Sequence, residues 1–133
     1  MNKLKFLKSA LFAVKAAGKI HLDYFGKNIK INHKNKLINR VTLVDIKAEN
    51  IIVKTLQKQF PNHNFLAEEN IYNKTDSDYL WIIDPLDGTS NYSHNIPAFA
   101  VSIALAYKDE IILINVFQQY FVNYESPLLL ILL

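Results

Sequence analysis

Trp81-Ile82-Ile83-Asp84-Pro85-Leu86-Asp87-Gly88-Thr89-Ser90 decides how the rest of this chain is read. The apolar run from Tyr79 to Ile83 delivers two carboxylates, Asp84 and Asp87, and a Gly-Thr pair follows at once. Short apolar runs beside turn residues read as buried strands, which puts Asp84 at a strand's C-terminal end. Pro85 fixes the backbone between the acids and has no amide hydrogen to offer. The Leu86 carbonyl lies between them and is free to face the same ligand. Gly88 lets backbone approach a ligand closely. The amides of Gly88, Thr89 and Ser90, where they open a helical turn, form an anion site. Upstream, Phe65-Leu66-Ala67 is a second apolar run and ends at Glu68-Glu69. If the two strands are neighbours, Glu68 and Asp84 share one edge.

Acids crowded in this way raise each other's pKa. A hard divalent cation relieves the crowding, and Mg²⁺ takes one or two carboxylates together with water and substrate phosphate. Two ions would stabilise both the attacking and the leaving oxygen of an in-line displacement. The stretch therefore points to phosphate-ester chemistry. Asp-Pro and Asp-Gly are also ordinary turn formers, and Glu68-Glu69 alone is a charged loop. The combination, with a strand run leading into each part, carries the reading.

With 133 residues the chain is long enough for one domain and one core. Half of the residues are hydrophobic and 20% are charged, a globular balance. The absence of Cys excludes disulfides, thiolate metal sites and a cysteine nucleophile. Charge is unevenly spread. Residues 1–40 carry ten Lys or Arg against one acid, Asp23, so the +3 net charge hides a strongly basic start. A basic segment attracts anionic substrates, RNA or a membrane surface, but it is also what a solvated helix face looks like. Lys8 and Lys15 interrupt the first apolar run, so no signal peptide is expected. No apolar stretch is long enough to span a membrane, and a cytoplasmic location is the expectation.

Leu4, Leu7, Leu11, Val14, Gly18, His21/Leu22 and Phe25 recur at helical steps and predict an amphipathic helix over 3–25, stopped by Gly26. Residues 27–40 read as loop or weak strand. Thr42 with Asp45 three residues on resembles a helix start. Ala48, Ile51, Ile52, Leu56 and Phe60 mark the second helix's buried face, and Pro61 ends it. The polar segment 70–78 reads as loop. Residues 98–107 and 111–117 read as a hairpin around Lys108-Asp109-Glu110, and 121–125 as a further strand. Two helices followed by strands predict an α+β fold with a largely antiparallel sheet. Among the histidines, His21 reads as core, His33 and His63 as loop residues, and His94 as a structural neighbour of the motif.

The motifs resemble those of the inositol monophosphatase family of Mg²⁺-dependent phosphatases. Trp81 to Ser90 is similar to its W-I-I-D-P-[IL]-D-G-T-[TS] signature, continued by Asn91 to Pro97. Phe65-Leu66-Ala67-Glu68-Glu69 is similar to F-[IL]-[GA]-E-E, and Asn39 to Asp45 to [DN]-x-V-T-x-x-D. The resemblance implies the N-terminal half of the αβαβα sugar-phosphatase fold. It implies Mg²⁺ ligands at Glu68, Asp84, Asp87 and the Leu86 carbonyl. It implies water activation by Thr89 with Asp45, Glu69 as an acid near the metal-bound waters, and phosphate held by Gly88, Thr89 and Ser90. Two or three Mg²⁺ ions per complete site are expected, with direct attack of the activated water and no phosphoenzyme. Lys34 or Lys36 matches a loop lysine of the family loosely.

The implied substrate is a phosphorylated small molecule, inositol monophosphate first, with adenosine bisphosphate or fructose bisphosphate as alternatives. A homodimer, and RNA or the transcription machinery, are further partners the family suggests. A haloacid-dehalogenase-type phosphatase is the rival enzyme reading, but its D-x-D-G-[TS] spacing is one residue shorter. Family members are longer than this chain, and their second half supplies another aspartate and most substrate contacts. Residues 1–117 are family-like, whereas 118–133 diverge into an apolar tail. The expectation is an N-terminal fragment that binds Mg²⁺ weakly and turns over poorly.

Overall fold

A computed structural model describes residues 2–27, 31–33, 36–68, 70–72, 75–118 and 129–132. The elements run α1 (Lys3–Tyr24), β1 (Ile31–His33), β2 (Lys36–Ile38), α2 (Arg40–Gln59), β3 (Asn64–Ala67), β4 (Ile71–Tyr72), β5 (Tyr79–Asp87), α3 (Thr89–Ser93), β6 (Ala100–Tyr107), β7 (Glu110–Gln118) and β8 (Leu129–Leu132). The α+β class is as the sequence predicts.

Helix α1 forms where expected, and Val14, Gly18 and His21 of the predicted face are buried with Leu7 packed against the core, but the buried stripe is completed by smaller residues and leaves Leu4 and Leu22 out. Phe6, Ala10, Ala13, Val14, Ala17, Gly18 and His21 point inward, while Leu4 is 59% exposed and Leu22 is also on the surface. Small side chains let α1 lie close against α2 and the sheet, which a stripe of leucines would prevent. Helix α2 starts earlier than Thr42. Its cap is Asn39, whose side chain accepts from the Thr42 backbone N–H at 2.9 Å. Asn is the stronger cap, so Thr42 is displaced to the third helical position. The segment read as loop or weak strand is a short hairpin, β1 pairing antiparallel with β2.

The main sheet has the order β4-β3-β5-β6-β7-β8. Every neighbouring pair is antiparallel except β3–β5, which is parallel. The predicted β6–β7 hairpin is present. Strand β4 is an addition, since its two residues lie inside the segment read as loop. Part of the apolar tail, Leu129–Leu132, pairs with β7 as an edge strand. The strand predicted over 121–125 lies outside the described residues.

Helices α1 and α2 cover one face of the sheet. Their Val14, Ala17, Ile52 and Leu56 pack on Phe65, Trp81, Ile83, Val101, Ile103 and Leu105. On the opposite face Leu66, Leu80 and Ala104 are half-buried and Ile82 is exposed. His63, read as a loop residue, is part of the core's rim. It stacks on Phe60 and Tyr79 with ring centroids 4.9 and 4.4 Å away, and its Nδ1 accepts from Trp81 Nε1 at 3.1 Å.

Burial, and then nearby Lys5, push the His63 pKa below its usual 6.5. Folding therefore favours the neutral ring. The stability it confers is complete above pH 6.5 and is lost as pH falls through the window below it. Trp81 is the only tryptophan, so its fluorescence reports the bond directly. Acidification should change Trp81 emission with a midpoint below pH 6.5, and His63→Gln should abolish that transition. An acid transition unaltered by the substitution would show that His63 is not the titrating partner.

Candidate active site

Strand β5 carries the acids, and a one-residue bulge aims them. Asp84 lies opposite Ser102, and Asp87 opposite Ala100. Three steps on β5 thus match two on β6, so one residue of Pro85–Leu86 is extra. Side chains alternate along a strand, and without the bulge Asp84 and Asp87 would face opposite ways. The extra residue restores parity, because Ser102 and Ala100 share a face. Leu86 turns the other way and is buried with Val44, Tyr92 and Phe99. Proline tolerates this position because a bulge needs no ladder donor there. The strand therefore continues past Asp84, where the sequence reading ended it, to Asp87.

The parallel pairing of β3 with β5 matches Ala67 to Ile83. Glu68 follows directly on Ala67 and Asp84 directly on Ile83, so both lie one step past the last β3–β5 pair, as the sequence reading required, although β5 itself runs on to Asp87. Burial raises the Asp84 pKa, with Asp87 and then Glu68 adding to the rise by charge repulsion; the Leu86 N–H, bonded to Asp84 Oδ1 at 3.2 Å, opposes it. The three acids are thus within electrostatic reach of one another. Among the described residues no three acidic or histidine side chains come together closely enough to hold one ion. Mg²⁺ does not need three, since one or two carboxylates with water and phosphate suffice. The donor set fits a hard cation, with Asp84 and Asp87 as its nucleus. Glu69 lies outside the described residues, as does Lys34, while Lys36 falls in β2.

Gly88 follows at φ +86° and caps α3. A Cβ there would sit 2.8 Å from the Ala98 carbonyl oxygen, so only glycine fits both the conformation and the space. The same oxygen accepts from Asn91 Nδ2 at 2.9 Å. Thr89 and Ser90 are exposed in the first turn of α3. A cleft of about 200 Å³ opens between Asp87, Gly88, Asn91 and Phe99. Asp45 is half-buried in α2, next in sequence to Val44, which packs with Leu86 and Tyr92. His94 bonds back to the Ser90 carbonyl at 2.8 Å, a structural role as expected.

Four residues that brace the site were not singled out for it in the sequence. His21 was read only as core. It is 1% exposed, and its Nε2 donates to the Pro85 carbonyl at 2.8 Å, the group that the bulge frees from the ladder. Tyr92 donates its hydroxyl to the His21 carbonyl at 2.6 Å. Arg40, at the start of α2, is buried. It donates to the carbonyls of Lys27 at 2.7 Å and Tyr92 at 3.0 Å and to Asn95 Oδ1 at 2.9 Å. A cation at the C-terminal end of α3 also complements the helix dipole. Glu49 of α2 accepts from Asn70 Nδ2 at 3.1 Å and from the Tyr72 hydroxyl, which anchors the turn carrying Glu68. The only sequence signal was the placement of a His and an Arg on otherwise apolar helix faces.

Two parity-matched aspartates, a neighbouring glutamate and a left-handed Gly at a helix start thus come together at one acidic end of the sheet. The chain belongs to the inositol monophosphatase family, whose sequence model matches residues 2–122. It is 42% identical over 111 residues to a Nus factor SuhB of Pseudomonas aeruginosa, covering 77% of this chain and 39% of that protein. It is 39% identical over 121 residues to a fructose-1,6-bisphosphatase/inositol-1-monophosphatase of Aquifex aeolicus, covering 90% of this chain and 46% of that one. The fold is similar to an inositol monophosphatase from Anabaena, with TM-score 0.74 and 34% identity over 89% of this chain and 41% of the other. The chain thus spans less than half the length of the relatives it matches.

Two outcomes test the brace. Burial lowers the His21 pKa to about 4, against the raising effect of its bond to Pro85. The folded state holds this ring neutral, so its contribution is full above pH 6.5 and declines as pH falls from 6.5 to about 4. Urea unfolding should lose up to roughly 3 kcal/mol across that window, and His21→Gln should flatten the slope. Arg40→Met removes the donor of the Lys27 carbonyl and of Asn95 Oδ1 and leaves the Tyr92 carbonyl to its backbone donors, and should cost about 1–3 kcal/mol in the same assay. Arg40→Lys should recover part of the loss.

Proposed function

We propose that this chain takes part in Mg²⁺-dependent hydrolysis of a phosphate monoester, with inositol monophosphate as the foremost substrate. The observation that carries the reading is the parity-matched pair Asp84 and Asp87 on the β5 bulge, with Glu68 at the same edge. Family membership supports it, and relatives named as inositol monophosphatases support the substrate class.

In this reading Asp84, Asp87, Glu68 and the Leu86 carbonyl hold Mg²⁺. When bound, Mg²⁺ supplies a Lewis acid for the phosphoryl oxygens and lowers the pKa of water. Gly88, Thr89 and Ser90 hold the phosphate by backbone N–H groups, Thr89 and Ser90 adding their hydroxyls. Thr89 with Asp45 orients and deprotonates the attacking water, and Glu69, which lies outside the described residues, is the further acid this reading assigns to it. Gly88 lets the backbone reach the phosphate, and the Arg40 and His21 braces hold the turn in place for it.

Phosphate release from inositol 1-phosphate should require Mg²⁺, and Asp87→Asn should lower it at least tenfold, the scale of losing a group that acts in the transition state. Isothermal titration with Mn²⁺ should show a binding step that Asp84→Asn removes. Release that Asp87→Asn leaves unchanged would remove these acids from the reaction. Gly88→Ala should both destabilise the fold and abolish release, because the Ala98 carbonyl cannot yield to a Cβ.

A second reading, a binding role in transcription, is favoured by relatives named Nus factor SuhB at 42% and 37% identity. Salt-dependent RNA binding lost on replacing Lys3, Lys5 and Lys8 would support it. RNA affinity indifferent to these lysines would count against it.

A further inference from the structure

A groove of about 720 Å³ lies far from the carboxylates, between the outer faces of α1 and α2. Its apolar surface is Leu4 and Phe12 from α1 and Ile51 from α2; Leu4 is 59% and Phe12 69% exposed. Its charged surface is Lys5 and Lys8 from α1 and Lys54 and Lys58 from α2, and none of the lining residues is acidic. Large apolar side chains left in water cost free energy, and here two of them share a concave surface. The packing of α1 explains why they are there. The alanine stripe faces inward and Leu7 packs at its border, so Leu4 and Phe12 are left on the outer side.

We propose that the α1–α2 groove docks an acidic amphipathic helix of a partner protein. The apolar floor takes side chains at i, i+3, i+4 and i+7 of such a helix, and the four lysines pair with acids on its flanks. Charge and shape decide against other occupants. A second copy of this groove would bring lysine against lysine. The chain's own apolar tail is engaged as β8 against β7. A bilayer surface is flat, and the apolar residues here line a concavity. RNA would meet a single ring, Phe12, beside the aliphatic Leu4 and Ile51, where single strands are held by successive stacking platforms. The inference does not depend on the phosphatase reading, because the groove shares no residue with the acidic edge.

The test uses a fluorescein-labelled synthetic peptide with Leu at i, i+3, i+4 and i+7 and Glu at most other positions. Its scrambled isomer, which has the same charge but no apolar stripe, is the control. Anisotropy should show saturable binding of the striped peptide, with the scrambled peptide weaker by at least about tenfold. Leu4→Ser with Phe12→Ser should weaken binding about tenfold, as should Lys54→Glu with Lys58→Glu, each pair removing part of one hot spot. All four residues are on the surface, and far-UV circular dichroism should be unchanged. Amide shifts in ¹⁵N-labelled protein should concentrate in residues 2–12 and 51–59. Equal affinity for the two peptides, or binding that survives both double substitutions, would overturn the proposal. So would phosphatidylserine vesicles or single-stranded RNA binding through Phe12 while the striped peptide does not bind.

Discussion

The one extra residue at Pro85–Leu86 is the constraint on which the site depends. A regular strand would send Asp87 toward the helices and Leu86 toward solvent. The bulge reverses both. It places Asp87 beside Asp84 on the open face and buries Leu86 against Val44, Tyr92 and Phe99. It also takes the Pro85 carbonyl out of the ladder, and a buried carbonyl must find a donor. His21, more than sixty residues earlier, supplies it. Bulge, buried imidazole and aspartate pair are therefore one arrangement. A change that removes the bulge exchanges the buried and exposed sets together.

The brace behind the motif obeys the same logic. Helix α3 has five residues and cannot be stable alone. Gly88 fixes one end by its left-handed turn, and Arg40 fixes the other by gathering carbonyls at its C-terminus. A buried guanidinium is costly unless its hydrogens are bonded. Arg40 is satisfied mainly by backbone oxygens and the Asn95 amide, with the Tyr92 ring face 5.4 Å from its carbon. Its Nε alone lacks a partner. That pattern suits a positioning role, since carbonyls fix the place of a backbone turn where a carboxylate partner would fix only a side chain.

The elements legible in the sequence were those encoded by local pattern. The apolar runs gave β3 and β5, Lys108-Asp109-Glu110 gave the β6–β7 turn, and helical spacing gave α1 and α2. The acids Glu68, Asp84 and Asp87 were legible because each ends or follows a strand run. The misreadings have physical causes. Leucine is a stronger hydrophobic signal than alanine, yet close helix packing selected the alanine stripe of α1. Thr42 and Asp45 imitate a capping box, yet Asn39 stood three residues ahead and took the amide. Strand β4 is two residues long and carries no period of its own. His21, Arg40 and Glu49 act on partners 13 to 64 residues away, and nothing local in the sequence marks such pairs.

The two surfaces of functional interest lie on opposite sides of the molecule. Asp84 and Asp87 belong to the sheet face that no described helix covers, since Trp81 and Ile83, on the other face, meet α1 and α2. On that uncovered side Asp87 is exposed and Asp84 half-buried. The α1–α2 groove opens on the far side of the helices, a full layer of packing away. Sheets and helices pack with layers about 10 Å apart, so surface substitutions in the groove lie beyond contact with the acids and should add independently to changes there. Of the lysines that line the groove, Lys5 and Lys8 belong to the basic first forty residues and Lys54 and Lys58 to α2, so the groove draws its charge from both helices, while Asp84 and Asp87 stand on the opposite face of the sheet.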